Sequence, residues 1–182
     1  MQKVISAAKQ VLIFQLFTIG LRYVLGASFV YASVFKIDGI RFTPESGKNA
    51  PIDSLPHFFE TMYQSGFYWQ FIGWGQMIAG LLLMSQLFST VGAVAFFPIL
   101  MSIWVITFSF ESTGVLLITS LMLLGNIYLL LWDWNRIKYL LLPAPGDFVD
   151  DNPAFFKRNV WVYLGLILFL MVIYIRKVVL VG

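Results

Sequence analysis

The sequence predicts an all-α integral membrane protein, an up-down bundle of four helices joined by a fifth transmembrane helix. Hydrophobic residues form 59% of the 182 residues and charged residues only 12%, so a soluble fold of this size would leave too much apolar surface in water. The apolar residues gather in long segments, and most charges lie between those segments. Lipid is therefore the expected solvent of the fold.

Five apolar segments approach or exceed the roughly 20 residues that a helix needs to cross a hydrocarbon core about 30 Å thick. The predicted spans are residues 11–35, 67–88, 90–110, 115–134 and 160–179. Very short connections join the second, third and fourth spans, which makes consecutive helices antiparallel neighbours. No internal repeat or soluble domain interrupts them, so residues 1–182 are predicted to form one membrane domain.

The loop between the first two spans is predicted to contain a short amphipathic helix. Apolar residues between Leu55 and Met62 recur at positions i, i+3, i+4 and i+7. Ser54 can cap the start of this helix, and Gly66 can end it. Such a helix would lie on the membrane surface or over the mouth of the bundle.

Composition excludes several classes of function. The net charge is +3, but the basic residues are scattered at segment ends, so no nucleic-acid partner is expected. Cysteine is absent and His57 is the single histidine, which excludes disulfides, cysteinyl zinc or iron–sulfur sites and bis-histidine haem within the chain. We expect no metal site, no intrinsic cofactor and no catalytic residue, which favours a function other than catalysis.

Basic residues near the N-terminus predict the orientation. Lys3 and Lys9 precede the first span, and the remaining basic residues divide almost evenly between the two membrane faces. Because the first helix often dominates topology under the positive-inside rule, the sequence favours a cytoplasmic N-terminus. Five spans then place the C-terminus on the opposite side.

Four of the predicted spans carry a polar side chain at similar depth. Counted at 1.5 Å per residue, Arg22, Gln76, Ser102 and Asn126 lie about 12–18 Å from the same membrane face. Lipid offers such groups no hydrogen-bond partner, so we expect them to face the interior of the bundle. Asp133 lies at the end of its span and is not expected to reach this level.

Two interpretations of this cluster are open. In the first, Arg22 is a structural lock whose guanidinium group bonds to Gln76, Asn126 and backbone carbonyls, since interhelical amides often hold membrane helices together. In the second, Arg22 completes its hydrogen bonds with a ligand such as a quinone carbonyl, an anion or a bound lipid headgroup. At the other end of the bundle, Lys36 and Glu111 are expected to form an interfacial ion pair.

Short motifs in three spans resemble the DoxX-like membrane family. They are Arg22, Gly26, Phe29 and Lys36 in LRYVLGASFVYASVFKI, GLLL in QMIAGLLLMSQ, and Gly125 and Asn126 in LMLLGNIYLLLW. The similarity covers residues 11–135 and implies a compact four-helix core. Gln76 stands where the family often has an acid, which weakens any arginine–carboxylate pairing, and the fifth span exceeds the usual four.

The resemblance implies two functions of different classes. Some members belong to a quinone-linked thiosulfate oxidoreductase, and others act as accessory or assembly factors of larger membrane complexes. We therefore expect a non-catalytic accessory subunit or assembly factor in the bacterial inner membrane, with a quinone-binding subunit as the alternative. A transporter is disfavoured, because the spans contain no inverted repeat and no chain of acidic residues.

The fifth span is predicted to take part in contacts with other integral membrane proteins. It places Leu164, Ile167, Leu168 and Met171 on one face, and Gly165 is its only small residue there. A helix with so few small or polar groups has little means of packing tightly on its own bundle. Exposure of this helix to membrane lipid is the open alternative.

Overall fold

The computed structural model describes residues 8–43, 46–111, 113–141 and 159–181, and its regular structure is helical throughout these residues. The helices are α1 (Leu12–Ile37), α2 (Leu55–Gln64), α3 (Phe67–Met84), α4 (Ser89–Ser109), α5 (Thr113–Trp132), α6 (Trp134–Leu141) and α7 (Asn159–Val181), with a 3-10 turn at Gly47–Asn49. The predicted all-α class is therefore confirmed. Lys3, one of the two residues used to predict orientation, lies outside the described residues.

Three of the helices, α1, α4 and α5, are long and apolar enough to cross a membrane. This agrees with the prediction of a helical membrane protein. The two other predicted spans coincide with α3 and α7, which do not satisfy the same combination of length and hydropathy over their described residues.

The second predicted span ends earlier than its apolar run suggests. Helix α3 stops at Met84 instead of residue 88, because Gln86 adopts a left-handed backbone with φ of 57°. Leu87 and Phe88 extend the apolar run but belong to the turn before α4. The spans predicted from hydropathy, residues 67–88 and 90–110, therefore placed the turn a few residues too late.

Helices α1, α3, α4 and α5 pack in a ring, each against the next and α5 against α1. Their shared core includes Phe29 of α1 and Phe96 of α4, whose rings stack with centroids 3.6 Å apart. The backbones of α1 and α3 approach closely where two glycines face each other. A Cβ atom on Gly80 would lie 2.7 Å from the Gly26 carbonyl oxygen, so only glycine permits this separation.

The last helix packs on this ring, which differs from the expectation that it has little means of packing tightly on its own bundle. A Cβ atom on Gly165 would collide with the Met84 carbonyl oxygen, so the one small residue of this face lets α7 approach α3. The Tyr23 hydroxyl donates a hydrogen bond of 2.8 Å to the Trp161 carbonyl oxygen. The face predicted to contact a partner protein is partly buried against the ring and partly exposed. Leu164 and Leu168 pack inward, whereas Ile167 and Met171 are exposed.

The amphipathic helix predicted in the first loop is present as α2. Ser54 occupies its N-cap position, but the Ser54 hydroxyl donates to the Pro51 carbonyl at 2.6 Å and caps no amide of the helix. Gly66 lies just beyond the end of α2 with φ of 60°, a left-handed backbone that glycine adopts easily. The sequence thus located the helix and its end, but not the role of the capping residue.

Candidate functional site: a buried arginine at one end of the bundle

The register between α1 and α3 determines where Arg22 lies. Because Gly26 packs against Gly80 and against the side chain of Met84, the helical turn of α1 that precedes Gly26 reaches the end of α3. Arg22 is in that turn and therefore lies beside the connection between α3 and α4. The depth estimate from the sequence had assumed that the start of α1 lies level with the end of α3, and this register shows that α1 begins well beyond the end of α3.

The guanidinium group of Arg22 bonds to two side chains at helix ends. Its Nη1 donates to Oε1 of Gln86 at 3.0 Å, and its Nη2 lies 3.0 Å from Oδ2 of Asp133. Both charged side chains are almost fully buried, with 3% of Arg22 and 1% of Asp133 exposed. The two charges attract each other strongly in these buried surroundings. The pair nevertheless adds little net stability to the fold, because each ion has lost its hydration.

Three helix ends contribute to the same site. Thr90, in the first turn of α4, donates its hydroxyl to Oδ2 of Asp133 at 3.0 Å. Asp133 follows the end of α5 and its carbonyl accepts from the amide of Arg136 at 2.9 Å, in the first turn of α6. The carboxylate therefore lies at the positive end of the α6 dipole, where a negative charge is favoured. Arg22 thus joins α1 to the ends of α3, α4 and α5.

Gln86 occupies a position at which helices usually place glycine. It is the second residue after α3, and its φ of 57° is a conformation that costs a residue with a Cβ atom about 1–2 kcal/mol. The Gln86 side chain is buried, with 6% exposed, and its Oε1 accepts from Arg22. The hydrogen bond to a charged group offsets this backbone strain.

The structure does not bring the predicted polar cluster together around Arg22. Asn126 is fully buried, but its Nδ2 donates to the Ala93 carbonyl oxygen at 3.2 Å. Gln76 is buried with no hydrogen-bond partner for Oε1. Ser102 is exposed and donates to the Ile99 carbonyl of its own helix. The interior position predicted for Arg22 agrees with the structure, whereas its predicted partners differ.

The predicted ion pair between Lys36 and Glu111 is not formed. The Lys36 Nζ turns back to donate to the Ala32 carbonyl oxygen at 3.1 Å and lies 5.0 Å from the centre of the Trp69 ring. Glu111 is exposed in the turn after α4, with φ of 50°. Lys36 is thus stabilised by a cation–π contact with Trp69 and by one backbone carbonyl oxygen instead of the expected carboxylate of Glu111.

A second ion pair closes the first loop over α2. Nε and Nη2 of Arg41 donate to the two carboxylate oxygens of Glu60 at 2.8 and 2.9 Å. Glu60 also accepts from Gln64 at 3.1 Å and from the backbone amide of Gly47 at 3.2 Å. These donors, with Arg41 the strongest, lower the pKa of Glu60 to about 2. We call Arg41, Glu60, Gln64 and Gly47 the loop clasp.

Sequence reasoning missed Gln86 and Asp133 as partners of Arg22. Both follow directly on apolar runs, in LLLMSQ and YLLLWD, and such positions usually indicate solvated span ends. The usable signal was that the chain carries one charge deep in its first span and that an acid ends another span. An arginine side chain is long enough to reach a span end from within the helix.

The described residues contain no group of three or more histidine or acidic side chains that could hold a metal ion. Comparisons of the chain with protein-family models, with curated proteins and with solved structures find no match. Chemically, the Arg22 site is a buried, hydrogen-bonded ion pair that connects helix ends.

Proposed function

We propose that this chain is a non-catalytic accessory subunit or assembly factor of a larger membrane protein complex. The observation that carries this proposal is the use of Arg22, whose two terminal nitrogens bond to Gln86 and Asp133 of the same chain. The buried charge therefore fixes helix ends in place, as in the structural-lock interpretation. A rigid bundle with apolar outer faces suits a protein whose work is to support other membrane helices.

The proposed setting is the bacterial inner membrane, with five spans and a cytoplasmic N-terminus. Helix α3 packs against the apolar helices α1 and α4, and α7 packs against α1 and α3, which supports counting both as spans. The motifs that resemble the DoxX-like family agree with this setting. Alkaline phosphatase fused to the C-terminus should be active, and a green fluorescent protein fusion there should be dark. The opposite result would overturn the orientation or the number of spans.

The outer face of α7 is the proposed contact with a partner protein. Ile167 and Leu170 are 60% and 62% exposed on this face. The chain offers a matched control on α5, where Leu117 and Leu121 are 63% and 62% exposed. The two faces differ in position while the amount of exposed apolar side chain is the same.

Co-purification in mild detergent tests this assignment. The double variant Ile167→Ala/Leu170→Ala should lose specific co-purifying membrane proteins, and Leu117→Ala/Leu121→Ala should retain them. An unchanged protein list in the α7 variant, or equal losses in both variants, would contradict a partner contact at α7. A stable lone monomer from native membranes in every case would contradict the accessory function itself.

The second candidate is a quinone-binding subunit of a membrane oxidoreductase. Two buried amide oxygens favour it, since Oε1 of Gln76 and Oδ1 of Asn126 have no hydrogen-bond partner. Such oxygens could accept hydrogen bonds from the hydroxyl groups of a reduced quinone. Photoreactive quinone should then label the wild-type protein and fail to label Gln76→Leu and Asn126→Leu variants. Equal labelling of all three would reject this candidate.

A further inference from the structure

The amide group of Gln86 has a fixed orientation. A guanidinium group only donates hydrogen bonds, so the atom of Gln86 that faces Nη1 of Arg22 must be the oxygen. The amide nitrogen Nε2 then points elsewhere, and it is buried with no hydrogen-bond partner. A donor held in this way needs an acceptor, because burial has removed the water that it bonds in the unfolded chain.

The carboxylate of Asp133 has an oxygen that lacks a hydrogen-bond donor. Its Oδ2 accepts from both Arg22 and Thr90, each at 3.0 Å, while Oδ1 is buried with no partner. A carboxylate oxygen can accept two hydrogen bonds, and an anionic one is especially costly to leave bare. Asp133 is 1% exposed, so bulk water does not reach this oxygen freely.

The unpaired donor, Nε2 of Gln86, and the unpaired acceptor, Oδ1 of Asp133, belong to the two side chains that bond to the Arg22 guanidinium group. They do not bond to each other. A group that satisfies both atoms must accept a hydrogen bond from Nε2 and donate one to Oδ1. A bound group that only accepts hydrogen bonds would leave Oδ1 of Asp133 without a donor. A bound group that only donates would leave Nε2 of Gln86 without an acceptor. A hydroxyl group is a small neutral group that does both.

We infer that the Arg22 site binds one hydroxyl group, which accepts from Nε2 of Gln86 and donates to Oδ1 of Asp133. Its source is either an internal water molecule or the hydroxyl of a lipid headgroup. Buried waters in proteins are found where they make about three hydrogen bonds to groups that otherwise have no partner. The inference holds whatever complex the chain serves, since it depends only on the side chains of the site.

The phenol of Tyr23, which lies beside Gln86, is the competing partner within the chain. Its hydrogen is donated to the Trp161 carbonyl oxygen, which leaves its oxygen able to accept from Nε2 of Gln86. A direct contact of this kind would leave Oδ1 of Asp133 without a donor and would need no bound group. The experiment must therefore distinguish water, lipid and Tyr23.

Solid-state NMR of the full chain in lipid bilayers makes this distinction through the side-chain amide of Gln86. The signal is assigned by its disappearance in the Gln86→Glu variant. For a bound water, the amide protons show cross-peaks to slowly exchanging water, and these persist in deuterated lipid. For a lipid hydroxyl, the cross-peaks go to lipid protons and vanish when the lipid is deuterated. Cross-peaks to the Tyr23 phenol alone would overturn the inference.

An isosteric variant tests the acceptor side. Asp133→Asn keeps the shape of the side chain but replaces one carboxylate oxygen with a donating amide nitrogen, so the hydroxyl loses its anionic acceptor and the cross-peak to water or lipid should weaken. The control is Gln76→Leu, which removes a buried amide elsewhere and should leave the Gln86 cross-peak unchanged. A cross-peak that survives Asp133→Asn at full intensity would contradict the proposed bridge.

Discussion

Nη2 of Arg22 and Oδ2 of Asp133 lie 3.0 Å apart, although the two residues are 111 positions apart in the chain. The contact joins the first long helix to the end of α5, and Thr90 bonds to the same carboxylate oxygen. Since both partners are buried, neither can turn to water when the other is removed. The pair therefore predicts a strong asymmetry between single and double substitutions.

Arg22→Met leaves Asp133 buried without its cation, and Asp133→Leu leaves Arg22 without its anion. Each single variant should lose about 3–5 kcal/mol of unfolding free energy, the usual cost of breaking a buried pair. The double variant should lose less than either, because it leaves no uncompensated charge. Reversible unfolding in mixed detergent micelles measures all three. Additive losses in the double variant would contradict a coupled pair.

Substitutions at Gln86 separate backbone strain from the side-chain bond. Gln86→Ala loses the bond to Arg22 and keeps the left-handed backbone, whereas Gln86→Gly loses the bond and relieves the strain. The expected order of stability is wild type, then Gly, then Ala, with Gly above Ala by about 1–2 kcal/mol. Thermal unfolding in detergent provides the measurement.

Glu111 is the matched control for Gln86, since it has φ of 50° in the turn after α4 and is exposed. Glu111→Gly should therefore raise stability by about 1 kcal/mol, because it relieves strain and breaks no buried contact. If Gln86→Gly were as stabilising as Glu111→Gly, the bond between Gln86 and Arg22 would have no energetic value.

Gly165→Ala tests the seating of α7 on the ring. The added methyl group meets the backbone carbonyl of Met84, which cannot turn aside, so α7 should move away from α3. Increased hydrogen exchange or crosslinking changes near Tyr23 and Trp161 would report this movement. Gly20→Ala is the control, because a Cβ atom there meets nothing within 4 Å and should stabilise α1 by about 0.5–1 kcal/mol.

The loop clasp should be sensitive only to strong acid. The pKa of Glu60 is about 2 in the folded protein, below its ordinary value of 4.5, so the clasp stabilises the loop fully above pH 4.5. This stabilisation declines below that value and is lost as the pH falls through about 2. The carboxyl carbon shift of Glu60 in an NMR titration measures this directly. A midpoint near 4.5 would contradict the clasp.

A neutral-pH variant tests the same contacts. Glu60→Gln should speed tryptic cleavage at Arg41 and Lys48, because the bidentate ion pair that fixes the loop is gone. Glu111→Gln, an identical change at an exposed carboxylate, should leave the cleavage rate unchanged.

The sequence predicted the helices well because their signal is the length and apolarity of each segment. The bounds of α1, α4 and α5 differ from the predicted spans by only a few residues. The end of α3 was harder to predict, since the left-handed turn at Gln86 interrupts a hydrophobic run without a glycine or proline. The packing of α7 was also missed, because its one glycine meets a backbone carbonyl that the sequence does not reveal.

The partners of Arg22 depend on the axial register between helices, and single-helix arithmetic carries no such information. Residues at equal distance from their own helix ends need not lie at equal height in the bundle. The close approach of Gly26 and Gly80 sets the register of α1 against α3 and brings Arg22 beside Gln86. Asn126 is not a partner of Arg22 because its amide points to the Ala93 carbonyl oxygen. From the resemblance noted in the sequence, Gln76 was expected to weaken an arginine–carboxylate pairing, yet Asp133 at the end of α5 supplies a carboxylate to Arg22.

The order in which a ribosome makes the chain gives the Arg22 contact a further consequence. Gln86 and Asp133 follow Arg22 by 64 and 111 residues, so α1 leaves the ribosome long before either partner exists. An arginine inside an apolar segment disfavours insertion into the bilayer on its own. We therefore expect the first helix to stay beside the insertion machinery until α3 and α5 have been synthesised, so that the helices enter the bilayer together and late in synthesis.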